Sequence, residues 1–339
     1  MKHLETQTED NKQPLKTPVQ RITSLFSNSG PYSVNPGLVA AFIIVFIVLS
    51  IASPYFLTIT NLMNIAKSLV VVGVAAVGET IVMIAGGFDL SIGSTMAAAG
   101  MLAAYLLNFG FPIYLAFGCS ILLGASIGTL NGTIISYFRV NPLITTLGTM
   151  AIIRGLAFVI SDGREIVITN EFWLELGTGK LAGVPIIVLI LLAIFLIFLA
   201  IMPRTKFGRY TYAIGSNARG ARLSGVSVKN WRLVIYIVCG ATAALAGLML
   251  AARTGNARPA AAMGFELDVI IAVILGGTSL AGGRGTIIGT AIGLALIFII
   301  NNGLTLAQVP SFWQQIVKGV ILIGAVLYDE LRRGRVDDT

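Results

Sequence analysis

The stretch IIVLILLAIFLIFLAI at 186–201 contains no polar side chain, and AFIIVFIVLS at 41–50 is nearly as apolar. A helix needs about 20 mostly apolar residues to cross the hydrocarbon core of a bilayer. Over all 339 residues, 56% are hydrophobic and only 11% are charged, whereas soluble domains carry roughly 25% charged residues. The chain is therefore predicted to be a polytopic membrane protein.

Apolar runs of this kind predict an all-α membrane domain at 38–328 with about ten transmembrane helices, some of them glycine-broken or re-entrant. A polar tail at 1–37 precedes this domain, and a short tail at 329–339 follows it. The predicted spans are 38–53, 62–84, 93–109, 112–138, 143–160, 184–201, 233–251, 267–281, 286–302 and 312–328.

Basic residues are distributed unevenly between the two sides of these spans. With the N-terminus inside, 16 of the 23 lysines and arginines fall in inner segments, 4 fall in outer loops and 3 lie within spans. Because positive residues concentrate on the cytoplasmic side, both termini are predicted to be cytoplasmic. The same distribution accounts for the net charge of +8 without invoking nucleic acid.

The residues needed for enzymatic chemistry are scarce. The only histidine is His3, in the polar tail, and the two cysteines, Cys119 and Cys239, lie in apolar blocks without a ligand-spaced partner. No G-x-x-x-x-G-K-[ST] motif occurs, so the chain has no phosphate-binding loop of the P-loop type. We expect no catalytic residues, no metal and no cofactor, and ATP-driven work would require a second protein.

Two glycine-rich stretches resemble each other: IVMIAGGFDLSIGST at 81–95 and AVILGGTSLAGGRGT at 272–286. Each has an apolar run that ends in a Gly-Gly pair, and either gene duplication or two independent glycine-rich bends explains the similarity. Asp89 follows the first pair. It is predicted either to cap the next helix or to line the inner mouth of a path.

The longest inner loop, 203–232, reads PRTKFGRYTYAIGSNARGARLSGVSVKNWR and contains seven basic residues and no acidic one. Its middle, 216–223, predicts a short helix with Ser216 as the cap. One interpretation is a basic loop lying on anionic lipid. The other is a docking element whose Ala-Gly face seats in a cytoplasmic partner while the arginines surround it.

Charged residues inside predicted spans are functional candidates. Glu79 and Arg154 differ in predicted depth by about 10 Å, so a direct pair is marginal. Snorkelling to the outer surface is the simpler interpretation of Arg154, Lys67 and Lys318. The candidate path residues, which would otherwise serve helix–helix contacts, are Glu79, Asp89, Asn141, Thr145, Arg154, Asn301 and Asn302.

Four ordered blocks resemble the monosaccharide ABC importer permeases, the family of the ribose, xylose, arabinose and galactose permeases. The similarity covers roughly 55–328. The blocks are TKFGRYTYAIGSNARGARLSGVSVKNWRLVIYIVCGATAALAGLML at 205–250, GETIVMIAGGFDLSIGS at 78–94, NPLITTLGTMAIIRGLAFVISDG at 141–163 and GFELDVIIAVILGGTSLAGGRGTIIGT at 264–290.

This resemblance implies the transport subunit of an ATP-driven importer in the bacterial cytoplasmic membrane. It implies a second permease copy, identical or similar, together with a cytoplasmic ATPase, a periplasmic or surface sugar-binding protein and a monosaccharide substrate. By similarity, the coupling helix that meets the ATPase comprises Gly215, Ser216, Asn217, Ala218, Arg219, Ala221, Arg222, Leu223, Ser224 and Gly225.

Two further expectations concern the outside of the membrane and the energy source. Arg164, Arg253 and Arg258 are candidates for salt bridges to acidic groups of the binding protein. The alternative function is an ion-coupled secondary transporter of a small polar solute, which Glu79 and Asp89 would support.

Overall fold

The computed structural model describes residues 35–337, and α-helices dominate it, since 77% of these described residues are helical. Most of the predicted 1–37 tail lies outside the described residues. The twelve helices within 35–337 are α1 Pro36–Ala52, α2 Ile59–Ile84, α3 Ile92–Asn108, α4 Ile113–Tyr137, α5 Pro142–Ser161, α6 Glu171–Thr178, α7 Ile186–Arg204, α8 Lys206–Leu223, α9 Val228–Thr254, α10 Phe265–Leu275, α11 Ile287–Leu306 and α12 Ser311–Asp337. Because α12 continues to Asp337, the backbone of the predicted 329–339 tail begins as helix.

Six of these helices, α2, α4, α5, α7, α9 and α11, are long and apolar enough to cross a membrane. Three shorter apolar helices are Pro36–Ala52, Ile92–Asn108 and Ser311–Leu327. The predicted polytopic helical class is confirmed, whereas the number of ten spans and the side of each terminus stay predictions. The predicted span at 267–281 is too long, since α10 ends at Leu275.

Close packing around α9 organises the bundle. A Cβ added at Gly240 would overlap the carbonyl oxygen of Gly124 on α4, and one added at Gly247 would overlap that of Met96 on α3. Small residues let helix backbones approach this closely, which is how helices associate where water supplies no hydrophobic drive. These glycines therefore pack α9 against α3 and α4.

Both glycine-rich stretches break a helix in the same way. After α2, the amides of Ala85, Gly86 and Gly87 donate to Ile81, Met83 and Val82; after α10, the amides of Gly276, Gly277 and Thr278 donate to Ala272, Ile274 and Val273. Gly86 has φ +78° and Gly277 has φ +85°, a left-handed conformation that glycine adopts without the Cβ penalty. The chain then re-enters a helix at Ile92 in one case and at Ile287 in the other.

Four short strands and α6 cover the end of the bundle where α7 begins. β1 (Ile166–Val167) pairs antiparallel with β4 (Asn256–Ala257), and β2 (Lys180–Leu181) pairs with β3 (Val184–Pro185). Trp173 of α6 is fully buried and contacts Phe117 edge to face, with ring centroids 6.4 Å apart. This layer holds the end of α9 in place.

The inner loop is more helical than its sequence predicts. α8 begins at Lys206 rather than near 216, and it bends at Asn217, whose φ of −158° and ψ of 91° are not helical. Asn217 rather than Ser216 caps the second half, since the Gly220 amide donates to Asn217 Oδ1 at 2.8 Å. Asn is a strong N-cap residue, so a capping side chain inside the helix produces the bend.

Candidate functional site

The second half of α8 has one exposed face and one packed face. Arg219, Arg222 and Leu223 are exposed, and Leu223 reaches 82% exposure. Ala221 is buried with Ile214 and Val228, and Ala218 packs against the same cluster. The alanine face therefore contacts this chain's own core, contrary to the expectation that it seats in a partner. The face available to a partner is basic, with one protruding leucine.

The residues just before the bend in α8 contact both helix breaks. A Cβ at Gly215 would overlap the carbonyl oxygen of Ile84, the last residue of α2, and would also press on the Gly283 amide. The Gly283 amide itself donates to Ile84 O at 2.8 Å. A Cβ at Gly283 would meet the Ser216 hydroxyl oxygen and the backbone of Ser216. Three segments of main chain thus come close together here, with the small Ser216 side chain beside them. We call Gly215, Ser216, Ile84 and Gly283 the inner junction.

The loop 278–286 is fixed on two sides of the inner junction. The Tyr212 hydroxyl of α8 donates to Gly285 O at 2.7 Å in a buried position. From α12, Asp329 Oδ2 accepts the Ser279 hydroxyl and the Leu280 amide, both at 3.3 Å. The loop is therefore bound to α8 and to α12 as well as to the end of α2.

Five polar side chains converge at the first break, and all of them are buried. Asp89 Oδ1 accepts the Ser91 amide at 2.9 Å and also the Ser91 hydroxyl. Asn131 of α4 donates to Ser91 Oγ at 3.0 Å, and the Thr149 hydroxyl of α5 donates to Asn131 Oδ1 at 2.7 Å. Asp89 thus holds Ser91, the residue before α3, but neither Asp89 nor Ser91 caps α3 through a side-chain hydrogen bond to the amides of its first turn.

Glu79, which lies in α2 before the first break, is the fifth of these polar side chains. Its Oε1 accepts the Asp89 amide at 3.3 Å, and its Oε2 lies 3.9 Å from the Cys239 sulfur of α9. This polar network joins α2, α4, α5 and α9 around the start of α3. Within residues 35–337, no three His, Cys, Asp or Glu side chains lie close enough together to hold a metal ion.

Arg154 does not pair with Glu79. Its Nη1 donates to the carbonyl oxygens of Pro259 and Ala261, each at 2.7 Å. Glu266 lies beside it, because a Cβ at Gly93 would meet both the Glu266 Oε2 and the Arg154 Nη2 atoms. Arg154 therefore fixes the loop between β4 and α10 instead of snorkelling.

That loop forms one wall of a cavity of about 420 Å³. The other walls are α3, with Met96 and Gly100, and the end of α9, with Leu250 and Thr254. Small and apolar side chains line most of it, and Arg258 lies at its polar side. A small solute fits in this space.

The predicted asparagine and threonine candidates have different surroundings. Asn302 exchanges two amide hydrogen bonds with Asn61, at 2.8 and 2.9 Å, which tie α11 to α2. Asn141 caps α5 through the Leu143 amide, and the Thr145 hydroxyl donates to Asn141 O at 3.0 Å. Asn301 differs, because its buried Oδ1 has no hydrogen-bond partner among the described residues.

Sequence reasoning missed the partner of Lys318. Its ammonium lies 2.7 Å from Asp268 Oδ1 and 2.9 Å from Asp268 Oδ2, so it links α12 to α10 rather than snorkelling. Both residues were visible as charges inside predicted spans. Pairing them from the sequence would require comparing their depths in the membrane. The predicted ends of the spans 267–281 and 312–328 are too imprecise for that comparison.

The three outer arginines have different surroundings. Arg253 donates to Lys67 O at 3.0 Å and to Ser68 Oγ at 3.3 Å, so α9 uses it to hold α2. Arg258 pairs with Glu165 at 2.8 Å, and Arg164 lies 3.6 Å from Asp162, all in exposed positions. Arg164 and Arg258 are exposed, whereas Arg253 is half-buried.

Residues 61–326 match the family described as "Branched-chain amino acid transport system / permease component". The chain belongs to this permease family. It is 40% identical over 300 residues to the ribose import permease protein of Escherichia coli K12, an alignment that covers 86% of this chain and 92% of that one. It is 40% identical over 288 residues to the ribose import permease protein of Bacillus subtilis 168, covering 84% and 89%.

A third relative is the L-arabinose transport system permease protein of Escherichia coli K12, 36% identical over 297 residues, covering 88% of this chain and 90% of that one. No solved structure matches the chain. The predicted family is confirmed, and with it a multi-pass transport subunit of the cytoplasmic membrane rather than an enzyme.

Proposed function

We propose that this permease is the membrane-spanning subunit of an ATP-driven importer that carries a monosaccharide into the cell by alternating access. Its relatives are ribose and arabinose permeases that match it over most of their length. A cytoplasmic ATPase supplies the energy, a sugar-binding protein delivers the cargo from outside, and two permease copies, identical or similar, form the path. The cavity beside α3 is open to a solute of this size.

The observation that carries this proposal is the exposed face of α8. Leu223 is 82% exposed, and the neighbouring Arg219 and Arg222 are exposed as well. Arginine is enriched among the residues that dominate protein–protein binding, and the exposed Leu223 adds apolar contact area beside the two arginines. The absence of acidic residues at 203–232 favours an acidic groove on the partner. The ATPase is therefore assigned to this face.

The variant Leu223→Glu tests the assignment, because it buries a charge in the proposed contact. We expect the ATPase to co-purify about tenfold less well, and ATP-driven uptake into proteoliposomes to fall accordingly. Leu181→Glu is the matched control, because Leu181 is 64% exposed on the strand hairpin at the opposite end. Normal association of the Leu223→Glu variant would contradict docking at this face.

An ion-coupled transporter remains the second candidate, supported by the buried Glu79 and Asp89. The same proteoliposomes separate the two functions. Uptake that needs internal ATP and survives collapse of the proton and sodium gradients supports the importer. Uptake that continues without ATP and stops with the gradient supports the alternative.

The sidedness follows from the charge distribution, with both termini and α8 inside and the strand layer outside. Arg164 and Arg258 then face the binding protein, where exposed ion pairs contribute only about 0–1 kcal/mol each. We expect an impermeant maleimide to label Arg258→Cys in intact cells, and the binding protein to slow the reaction. Labelling only in inverted vesicles would overturn this orientation.

A further inference from the structure

The inner junction differs from ordinary helix packing because its contacts join main-chain atoms. Gly215 has its Cα against the Ile84 carbonyl, and the Gly283 amide donates to the same oxygen. Side chains in a core can change rotamer and absorb a displacement, whereas backbone in direct contact has no such freedom. A movement of α8 at this point is therefore passed on rather than absorbed.

The two contacted segments are the two helix breaks. Ile84 ends α2 one residue before the first break, and Gly283 lies inside the loop of the second. The breaks also touch each other, since a Cβ at Gly282 would meet the backbone of Gly86. Gly215 of α8 therefore contacts the last residue of α2 and the 278–286 loop at the same point.

The exposed face of α8 begins immediately after the inner junction. Asn217 bends the helix directly beyond Ser216, and the exposed turn with Arg219 and Leu223 follows within two turns. The Tyr212 hydroxyl binds the first half of α8 to Gly285 O. Both anchors lie in the first half of α8, before the bend: Tyr212 binds Gly285 through its hydroxyl, and Gly215 contacts Ile84 through the backbone. The exposed second half follows them directly at Asn217.

We propose that Gly215, Gly283 and Tyr212 are positioning residues that make α8, the end of α2 and the 278–286 loop move as one body when the ATPase moves α8. This inference rests on the proposed function. It assigns to these residues the conversion of ATP hydrolysis into transport, and it assigns them no part in binding the ATPase or the sugar.

The main test uses Tyr212→Phe, which removes one hydroxyl and keeps the ring. In proteoliposomes with ATPase and binding protein, we expect normal co-purification of the ATPase and normal basal ATP hydrolysis. Sugar transported per ATP should fall about fivefold, which equals about 1 kcal/mol at 1.36 kcal/mol per factor of ten. Tyr137→Phe is the matched control, because its hydroxyl donates to Asn230 Oδ1 at the same 2.7 Å but away from the breaks.

The second variant is Gly215→Ala, for which we expect the ratio of sugar to ATP to fall further, since its methyl would force the Ile84 carbonyl away. Gly148→Ala is its control, because Gly148 is also helical and its added Cβ has no other atom within 4 Å. If Gly215→Ala does not assemble, Tyr212→Phe alone decides.

The measurements distinguish a failure of this inference from a failure of the proposed function. An unchanged ratio of sugar to ATP in an assembled Tyr212→Phe complex overturns the inference and leaves the proposed function intact. Parallel loss of ATPase association also overturns it, because the residues would then serve docking. Absence of ATP-dependent uptake by the wild-type assembly would refute the proposed function itself.

Discussion

The two helix breaks share a backbone geometry and differ in what stabilises them. Both end a helix with the same three amide hydrogen bonds and a left-handed glycine, Gly86 or Gly277. After that point the first break is held by buried side chains around Asp89, and the second by main-chain contacts of its glycines together with hydrogen bonds to Tyr212 and to the partly buried Asp329. The same backbone turn therefore lies beside a buried polar network in the first break, and in the second break it leads into the loop that we propose moves with α8.

The largest expected effect comes from removing the carboxylate of the first break. Asp89→Ala leaves the Ser91 amide and hydroxyl without their acceptor in a buried site. Because each unsatisfied buried donor costs about 1–3 kcal/mol, we expect a loss of about 3 kcal/mol. The measurement is the thermal unfolding midpoint of the detergent-solubilised complex.

Asp329→Ala is the counterpart at the second break, where Asp329 is only partly buried and accepts at 3.3 Å. Water can replace it there, so we expect a loss of about 1 kcal/mol or less. Equal losses for the two variants would mean that the breaks do not differ in the way described.

An intermediate loss of stability is expected when the left-handed glycine of either break is replaced by alanine. In Gly86→Ala and Gly277→Ala the added methyl has nearly open space, with one atom at 3.5 Å for Gly86 and none within 4 Å for Gly277. The left-handed backbone alone should therefore cost about 1–2 kcal/mol in each. Similar decreases in the unfolding midpoint are expected.

Gly148→Ala serves as the reference, because it also adds a methyl in open space but at a helical position. It should be neutral or slightly stabilising. A decrease for only one of the two break variants would show that their turns are not equivalent.

Hydropathy located the long apolar helices but did not give the contacts between the helices. The predicted span 184–201 became α7, Ile186–Arg204, and 233–251 lies within α9, Val228–Thr254. Such boundaries follow from local apolar runs. The end of α10 at Leu275 depends instead on a backbone turn at Gly277, which an apolar run does not encode.

The candidate site shows the same division. The basic α8 was predictable from its composition, but the inward direction of Ala221 depends on the bend at Asn217, a tertiary outcome of one capping side chain. Likewise, Arg253 looked like a docking residue until its contact with Lys67 O became visible. Long-range partners are set by how helices pack, and a single sequence does not contain that information directly.

A small effect is also expected from Tyr236, a residue of α9 that binds the first break. The Tyr236 hydroxyl donates to Phe88 O at 3.1 Å, and Tyr236→Phe should lower stability by about 1 kcal/mol. Its ratio of sugar transported to ATP hydrolysed should stay normal, in contrast to Tyr212→Phe. An uncoupled Tyr236→Phe complex would show that both breaks transmit movement.

The backbone character of the contact between Gly215 and Ile84 has a consequence for modularity. Peptide groups are chemically alike in every protein, so this contact does not depend on which residues decorate the outer surface of α8. Grafting the exposed turn at 219–224 from a related permease should then redirect the chain to that relative's ATPase while its interior stays unchanged. In the proposed mechanism, partner choice belongs to the second half of α8 and internal movement to its first half, so each could diverge independently.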